Sequence, residues 1–179
     1  HPVAHSFPTR RSSDLSRQEV ARKFLSPPPE KFLRELVAAG ELTREQAQMA
    51  ESVPVAGDVT AEADSGGHTD NRPAITLLPT MLALRDELQQ RHRYRREPCI
   101  GLAGGIATPD AAAAAFAMGA DFVLTGTVNQ ACREAGTSEA VRRMLAQAEQ
   151  ADVAMAPSAD MFEMGVKVQV LKRGTLFPQ

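Results

Sequence analysis

The sequence predicts an α/β fold of parallel strands, and three observations carry the prediction. Short apolar, β-compatible runs alternate with helical segments, a polar glycine-bearing loop follows each run, and the pattern recurs three times between residues 58 and 150. A strand that returns parallel to its neighbour needs a crossover, ordinarily a right-handed one through a helix, so consecutive β-loop-α units imply parallel strands. In such folds ligands sit at the carboxyl ends of the strands, where all three loops fall.

Residues 5–15 (HSFPTRRSSDL) match none of this patterning, because Phe7 and Leu15 are their only large apolar side chains and no helical or alternating spacing connects them. The peptide back-translates, in register, onto the end of a widely used short-read sequencing adapter. Residues 1–15 are therefore expected to be a disordered read-through artefact outside the fold, and the chain a C-terminal portion of a longer protein. The remaining 164 residues suffice for one domain with a real core but fall short of the roughly 250 of a closed (β/α)₈ barrel.

Residues 16–57 are predicted to be a helical segment. After Pro27, Pro28 and Pro29, the stretch KFLRELVAAG places Phe32, Leu33, Leu36 and Val37 at helical spacing before Gly40, a natural residue to follow a helix. Thr43 and Gln46 form a capping-box pattern that starts a second helix over residues 44–52, giving a helical hairpin over about 29–52 that reads as a packing element. Residues 58–179 hold the βα units. Strands are predicted at 59–63 (VTAEA), 99–103 (CIGLA) and 121–126 (DFVLTG), and helices at 75–90 despite Pro79, 110–119 and 138–150. In the closing segment Met155, Met161, Phe162, Met164, Val166, Val168, Val170 and Leu171 read as core packing.

A net charge of −2 and a pI near 6.1 exclude a general attraction to nucleic acid or an anionic membrane. The cluster RHRYRR (91–96) reads as a solvated helix end. No apolar run reaches the ~18–20 residues that span a bilayer. Cys99 and Cys132 lie far apart with no CxxC, as expected of reduced thiols in a cytoplasmic chain, and the scattered histidines predict no metal site.

Chemistry is concentrated in the loops. Ala103, Gly104, Gly105 and Ile106 join a strand to a helix opened by Pro109; adjacent glycines let backbone N–H groups approach an anion, and the helix dipole favours it. The next strand ends in Thr125-Gly126-Thr127, and two neighbouring loops of this kind can share one phosphate, as after the last two strands of many (β/α)₈ barrels. Neither GxxxxGK[ST] nor GxGxxG is present, so a nucleoside triphosphate is not expected. The loop EADSGGHTDN (62–71) is the densest polar stretch, with His68 beside Gly66 and Gly67. Histidine suits proton transfer near neutral pH, although a histidine that only braces its own loop would look the same. Asp64 and Asp70 suit turn formation, and the role of Glu62 stays open.

The stretches EADSGGHTDNRP, LAGGIATPDAAAAAFAMGADFVLTGTVNQACREAGTS and MAPSADMFEMGVKVQVLKRGTLFP closely resemble the trans-acting, flavin-dependent enoyl reductases of polyunsaturated fatty acid and polyketide synthases, the PfaD-like family. The likeness runs from about Phe24 to Phe177. It extends to the wider FMN barrel superfamily that includes nitronate monooxygenases, whose pattern is EAGGH-x-G, then GGI, then GT; Asp64 and Ser65 are extra here. The resemblance implies the C-terminal part of a (β/α)₈ TIM barrel with an added helical hairpin. It implies that Gly66, Gly67, Ala103, Gly104, Gly105, Ile106, Gly126 and Thr127 hold FMN and that His68 faces the flavin ring. It further implies NADPH as reductant, an acyl carrier protein as the partner that presents a 2-enoyl thioester, and His68 as the group that handles the proton. Nitronate oxidation, or a flavin-binding synthase component without turnover, are the alternatives. Lys167, Lys172 and Arg173 suit an acidic carrier but read first as solvated surface. The segment by itself is expected to be inactive, because an isolated part of a barrel leaves sheet edges unpaired.

Overall fold

The computed structural model describes residues 12–174; residues 1–11 of the adapter-like peptide and Phe177 at the end of the family-like stretch lie outside the described residues. In chain order the elements are β1 (Ser12–Leu15), α1 (Gln18–Leu25), α2 (Glu30–Ala38), α3 (Arg44–Ala50), β2 (Asp58–Glu62), β3 (Gly67–His68) and α4 (Ala74–His92). There follow β4 (Cys99–Ala103), α5 (Pro109–Ala117), β5 (Phe122–Leu124), α6 (Thr127–Gln130), α7 (Glu139–Ala146), β6 (Val153–Pro157) and β7 (Lys167–Leu171).

Four parallel strands form one sheet in the order β1-β2-β4-β5, which is also their order in the chain. On one face Val59, Ala61, Ile100 and Leu102 pack with Ala21 and Leu25 of α1, Leu78, Met81, Leu84 and Leu88 of α4, and Ala115 of α5 in a single buried cluster. Strand residues alternate between faces, so the opposite face carries Thr60, Gly101 and Phe122. There the Phe122 ring lies over Gly101 so closely that a Cβ on Gly101 would come within 2.3 Å of it.

Residues 12–15 correct the expectation that the whole adapter-like peptide stays out of the fold. They pair in parallel with Asp58–Ala61, and Leu15 packs against the core. The reason is that a ladder needs only backbone groups. The outer edge of β2 presents a row of N–H and C=O groups to whatever strand comes within reach, whatever its side-chain pattern.

The helices over 16–57 follow the sequence signals. Thr43 Oγ1 accepts from the Gln46 amide at 3.2 Å while Gln46 Oε1 accepts from the Thr43 amide at 2.9 Å, completing the capping box at the start of α3. Arg22 of α1 makes two parallel hydrogen bonds, 2.7 and 2.8 Å, to the Glu87 carboxylate of α4. These bonds hold the Glu87 carboxyl below the usual carboxylate range and raise the guanidinium. The basic cluster lies at the exposed end of α4, where Arg91 pairs with Glu87 and Arg93 closes the helix at φ +53°.

Tyr94 leaves that end and buries its ring, its hydroxyl donating to the Leu25 carbonyl at 2.8 Å. Burial pushes the phenol up to about 12. An acid whose pKa is higher folded than unfolded contributes stability that is whole below about pH 10 and is lost as pH climbs toward 12. Tyr94→Phe removes both this dependence and the bond to Leu25. Chemical denaturation should show a loss of about 1 kcal/mol at pH 7 and a flatter stability profile between pH 10 and 12.

The closing segment departs from the expectation of uniform core packing. It is an antiparallel hairpin, β6 against β7, with the two residues of β3 on the far side of β7. Strand alternation turns Ala156 and Ser158 inward and leaves Met155 37% exposed, while Met164, on a 3-10 turn between the strands, is 70% exposed. The predicted helix over 138–150 ends at Ala146, and a 3-10 turn at Gln150–Asp152 leads into the hairpin.

Candidate active site

The loops after β2, β4 and β5 meet at the carboxyl end of the parallel sheet, as the sequence predicts for ligand-bearing loops. Two close approaches define the meeting. A Cβ on Gly104 would lie 2.6 Å from the Asp64 carbonyl oxygen and 2.8 Å from the Ala63 carbonyl, so the glycine loop after β4 runs directly against the loop after β2. A Cβ on Gly66 would lie 2.9 Å from Thr127 Oγ1, which brings the start of α6 onto the same loop. Gly104 and Gly105 have φ of +89° and +72°, a region that glycine enters without the cost a side chain imposes.

At Gly67, Gly105 and Gly126 nothing lies within 4 Å of a would-be Cβ, so the space beside these backbones is open. A phosphate approached by main-chain N–H groups needs that geometry. Ala103 closes β4 and accepts from the Ala63 amide at 2.9 Å, which ties the two loops at their roots. The partly buried Ile106 side chain packs against the core. Thr108 caps α5 by accepting from the Ala111 amide at 3.1 Å.

Asp64 and Asp70 brace the loop around His68. Asp64 accepts from Thr69 Oγ1 at 3.2 Å and from Gln169 Nε2 of β7 at 3.3 Å, while its amide donates to the Arg72 carbonyl at 2.9 Å. Asp70 accepts from Ser16 Oγ, and Glu62 accepts from Ser65 Oγ at 3.3 Å. These bonds tie the loop to Ser16, to its own Thr69 and to β7, and give Glu62 a contact within the loop.

His68 is held by partners that the sequence did not single out. Its backbone pairs with Val168 of β7, and Nε2 lies 3.1 Å from the hydroxyl of Ser158, a residue only 1% exposed at the end of β6. Ser158 Oγ donates a short hydrogen bond to Asp160 Oδ1, which also lies 3.6 Å from Nε2. The Ser158 hydroxyl, the Asp160 amide and the charge of His68 all favour the carboxylate, so Asp160 titrates below its ordinary value. This is not a hydrolase triad. There the serine and the carboxylate occupy opposite nitrogens of the ring, whereas here both meet Nε2. The sequence signal, in retrospect, was PSAD: two hydrogen-bonding side chains, two residues apart, in an otherwise apolar strand-forming run.

Of the basic residues considered for a carrier surface, Arg173 is engaged within the fold, donating to Asp152 Oδ2 and to the Gln147 carbonyl, each at 3.3 Å. Lys167 is exposed. Among the described residues no helix is long and apolar enough to cross a membrane.

No family model matches the sequence. Over 166 residues the chain is 52% identical to one of the polyunsaturated fatty acid synthase proteins of Thraustochytrium sp., covering 92% of this chain and 11% of that protein. Over 164 residues it is 51% identical to the polyketide biosynthesis protein PksE of Bacillus subtilis, covering 92% of this chain and 21% of that protein. The chain thus spans only about a tenth to a fifth of the length of these relatives. Among solved structures, the enoyl reductase domain of MlnA, from the macrolactin biosynthesis cluster of Bacillus amyloliquefaciens, superposes with a TM-score of 0.89 at 47% identity. That match covers 94% of this chain and 38% of the MlnA chain.

Proposed function

We propose that this chain, a homologue of polyunsaturated fatty acid synthase proteins, of PksE and of the MlnA enoyl reductase domain, is part of a flavin-dependent enoyl reductase. Its substrates would be 2-enoyl thioesters presented by an acyl carrier protein. The observation that carries the reading is the convergence of the three strand-end loops, with His68 rising from one of them. The likeness to MlnA gives that convergence its chemistry.

Strand order supports a sector of a (β/α)₈ barrel rather than a doubly wound sheet. A doubly wound sheet reverses strand order at a switch point and places helices on both faces. Here spatial order follows chain order, and α1, α4 and α5 share one face. Right-handed crossovers between successive neighbours give that arrangement in a barrel.

The residues present suit FMN. Backbone N–H groups of Gly104, Gly105, Gly126 and Thr127 would hold its phosphate, and Gly67, open on its Cβ side, would let the ring system pass close to the backbone beside Gly66. When bound and reduced by NADPH, FMN would supply the hydride that the β-carbon of the enoyl thioester needs. The α-carbon would then take a proton, and His68, an imidazole on the loop after β2 suited to proton transfer near neutral pH, would give it. The hydrogen bond between Ser158 and the imidazole would orient the proton donor before the substrate arrives.

A full-length reductase carrying this segment, loaded with FMN and reduced anaerobically with NADPH, should be reoxidised rapidly by a carrier-bound 2-enoyl thioester, followed as the return of flavin absorbance in a stopped-flow instrument. Reoxidation by a nitronate with oxygen, and not by the thioester, would replace this reading with nitronate oxidation.

A further inference from the structure

The hydrogen-bond polarity around His68 determines which ring nitrogen is free to react. An ionised carboxylate only accepts hydrogen bonds, and the groups around Asp160 favour its ionised form. Ser158 has a single hydroxyl proton, which its bond to Asp160 uses. Its oxygen therefore meets His68 Nε2 as an acceptor, and Nε2 must carry a proton. Asp160 Oδ1, 3.6 Å from the same nitrogen, favours that proton electrostatically. Among the described residues no hydrogen bond occupies Nδ1.

We infer that Ser158 and Asp160 are positioning residues that lock His68 in its Nε2–H tautomer, so that Nδ1 is the nitrogen that exchanges a proton with the ligand. In the reaction proposed above, on which the functional half of this inference rests, the Nδ1–H bond of the imidazolium breaks and nitrogen keeps its electron pair. The proton joins the α-carbon, whose electron pair became available when hydride from the reduced flavin reached the β-carbon. The neutral imidazole left behind retains its proton on Nε2, and solvent restores the one on Nδ1. Ring exposure permits this, the His68 side chain being 49% accessible. The arrangement also spans the fold: His68 follows β2, whereas Ser158 and Asp160 lie 90 and more residues on, beyond β6.

The test is ¹⁵N NMR of the imidazole ring in the intact chain at about pH 8.5, above the ordinary imidazole range. The chain has four histidines, and the His68 signals are assigned by their loss in His68→Gln. The expected wild-type spectrum is that of a single tautomer protonated at Nε2. Asp160→Ala frees the Ser158 proton to donate toward Nε2 and should shift His68 toward the Nδ1–H form. Asp160 is 70% exposed, so this change leaves packing intact. Ser158→Ala should mix the tautomers, and Ser158→Thr, which keeps the hydroxyl, should restore the single form.

In turnover, Ser158→Ala should lower kcat about ten- to a hundredfold with KM for the carrier-bound substrate nearly constant, and Ser158→Thr should recover most of the loss. A wild-type His68 protonated at Nδ1, or present in both forms, would overturn the inference. A fixed Nε2–H tautomer, together with a full-length reductase carrying this segment that fails to reduce enoyl thioesters, would uphold the positioning and refute the enoyl reductase reading instead.

Discussion

Replacing His68 with glutamine should lower the rate of enoyl thioester reduction by about 10²- to 10⁴-fold, the range typical of a lost general acid. Flavin should remain bound. Glutamine matches the reach of the imidazole and can still bond Ser158, so the loop after β2 keeps its brace through Asp64, Thr69 and Gln169. What it cannot do is gain and release a proton near neutral pH. Stopped-flow reoxidation of the reduced protein separates the outcomes. Slow reoxidation with normal flavin content supports His68 as the proton donor. Unchanged reoxidation assigns the proton to another group and reduces His68 to a structural residue of its loop.

Gly104→Ala should be the most disruptive single methyl in the glycine loop. At φ +89° an L side chain is strained, and the new Cβ would meet the Asp64 carbonyl oxygen at 2.6 Å and the Ala63 carbonyl at 2.8 Å, backbone atoms that cannot swing aside. Together these should cost about 2 kcal/mol or more and lower Tm by roughly 4–8 °C. Flavin retention falls with them, because the two loops separate. Gly105→Ala is the informative contrast. Its φ is also positive, but nothing lies within 4 Å of the new methyl, so the expected stability loss is only about 1 kcal/mol. That methyl stands where a phosphate would approach, so FMN affinity should drop by more than the stability change accounts for. Calorimetric Tm measured beside FMN titration checks both. A Gly105→Ala variant with undiminished affinity would move the phosphate elsewhere.

The parallel sheet was legible in the sequence because each unit carries its own local signals. CIGLA is apolar on both faces, GGIATP supplies a turn and a proline at the helix start, and Thr43 with Gln46 marks a helix start through two reciprocal bonds. The glycine loops were legible for the same reason, since positive φ and close backbone approach demand glycine at the position itself. The other half of the site was not. Ser158, Asp160 and Gln169 act on His68 and Asp64 across 90 to 105 residues, and no spacing in the sequence announces a contact of that range. The methionines around them obscured it further. Met155 and Met164 suggest a core block, whereas a two-residue alternation in the hairpin turns the small Ala156 and the polar Ser158 inward. Strand β1 was missed for a different reason, since its pairing is specified by the edge of β2 and by no pattern of its own.

The pairing of β3 with β7 also bears on the order of assembly. Sheet order equals chain order from β1 to β5, so the parallel strands can associate as soon as each has been synthesised, at short loop-closure cost. His68 lies within that early region yet has its strand partner and its hydroxyl contact only in the last quarter of the chain. A nascent chain would therefore have a formed sheet and an unfastened histidine until the hairpin arrived. By the same logic, a lesion that frays the hairpin would release the His68 imidazole while the cooperative melting of the sheet stays nearly normal.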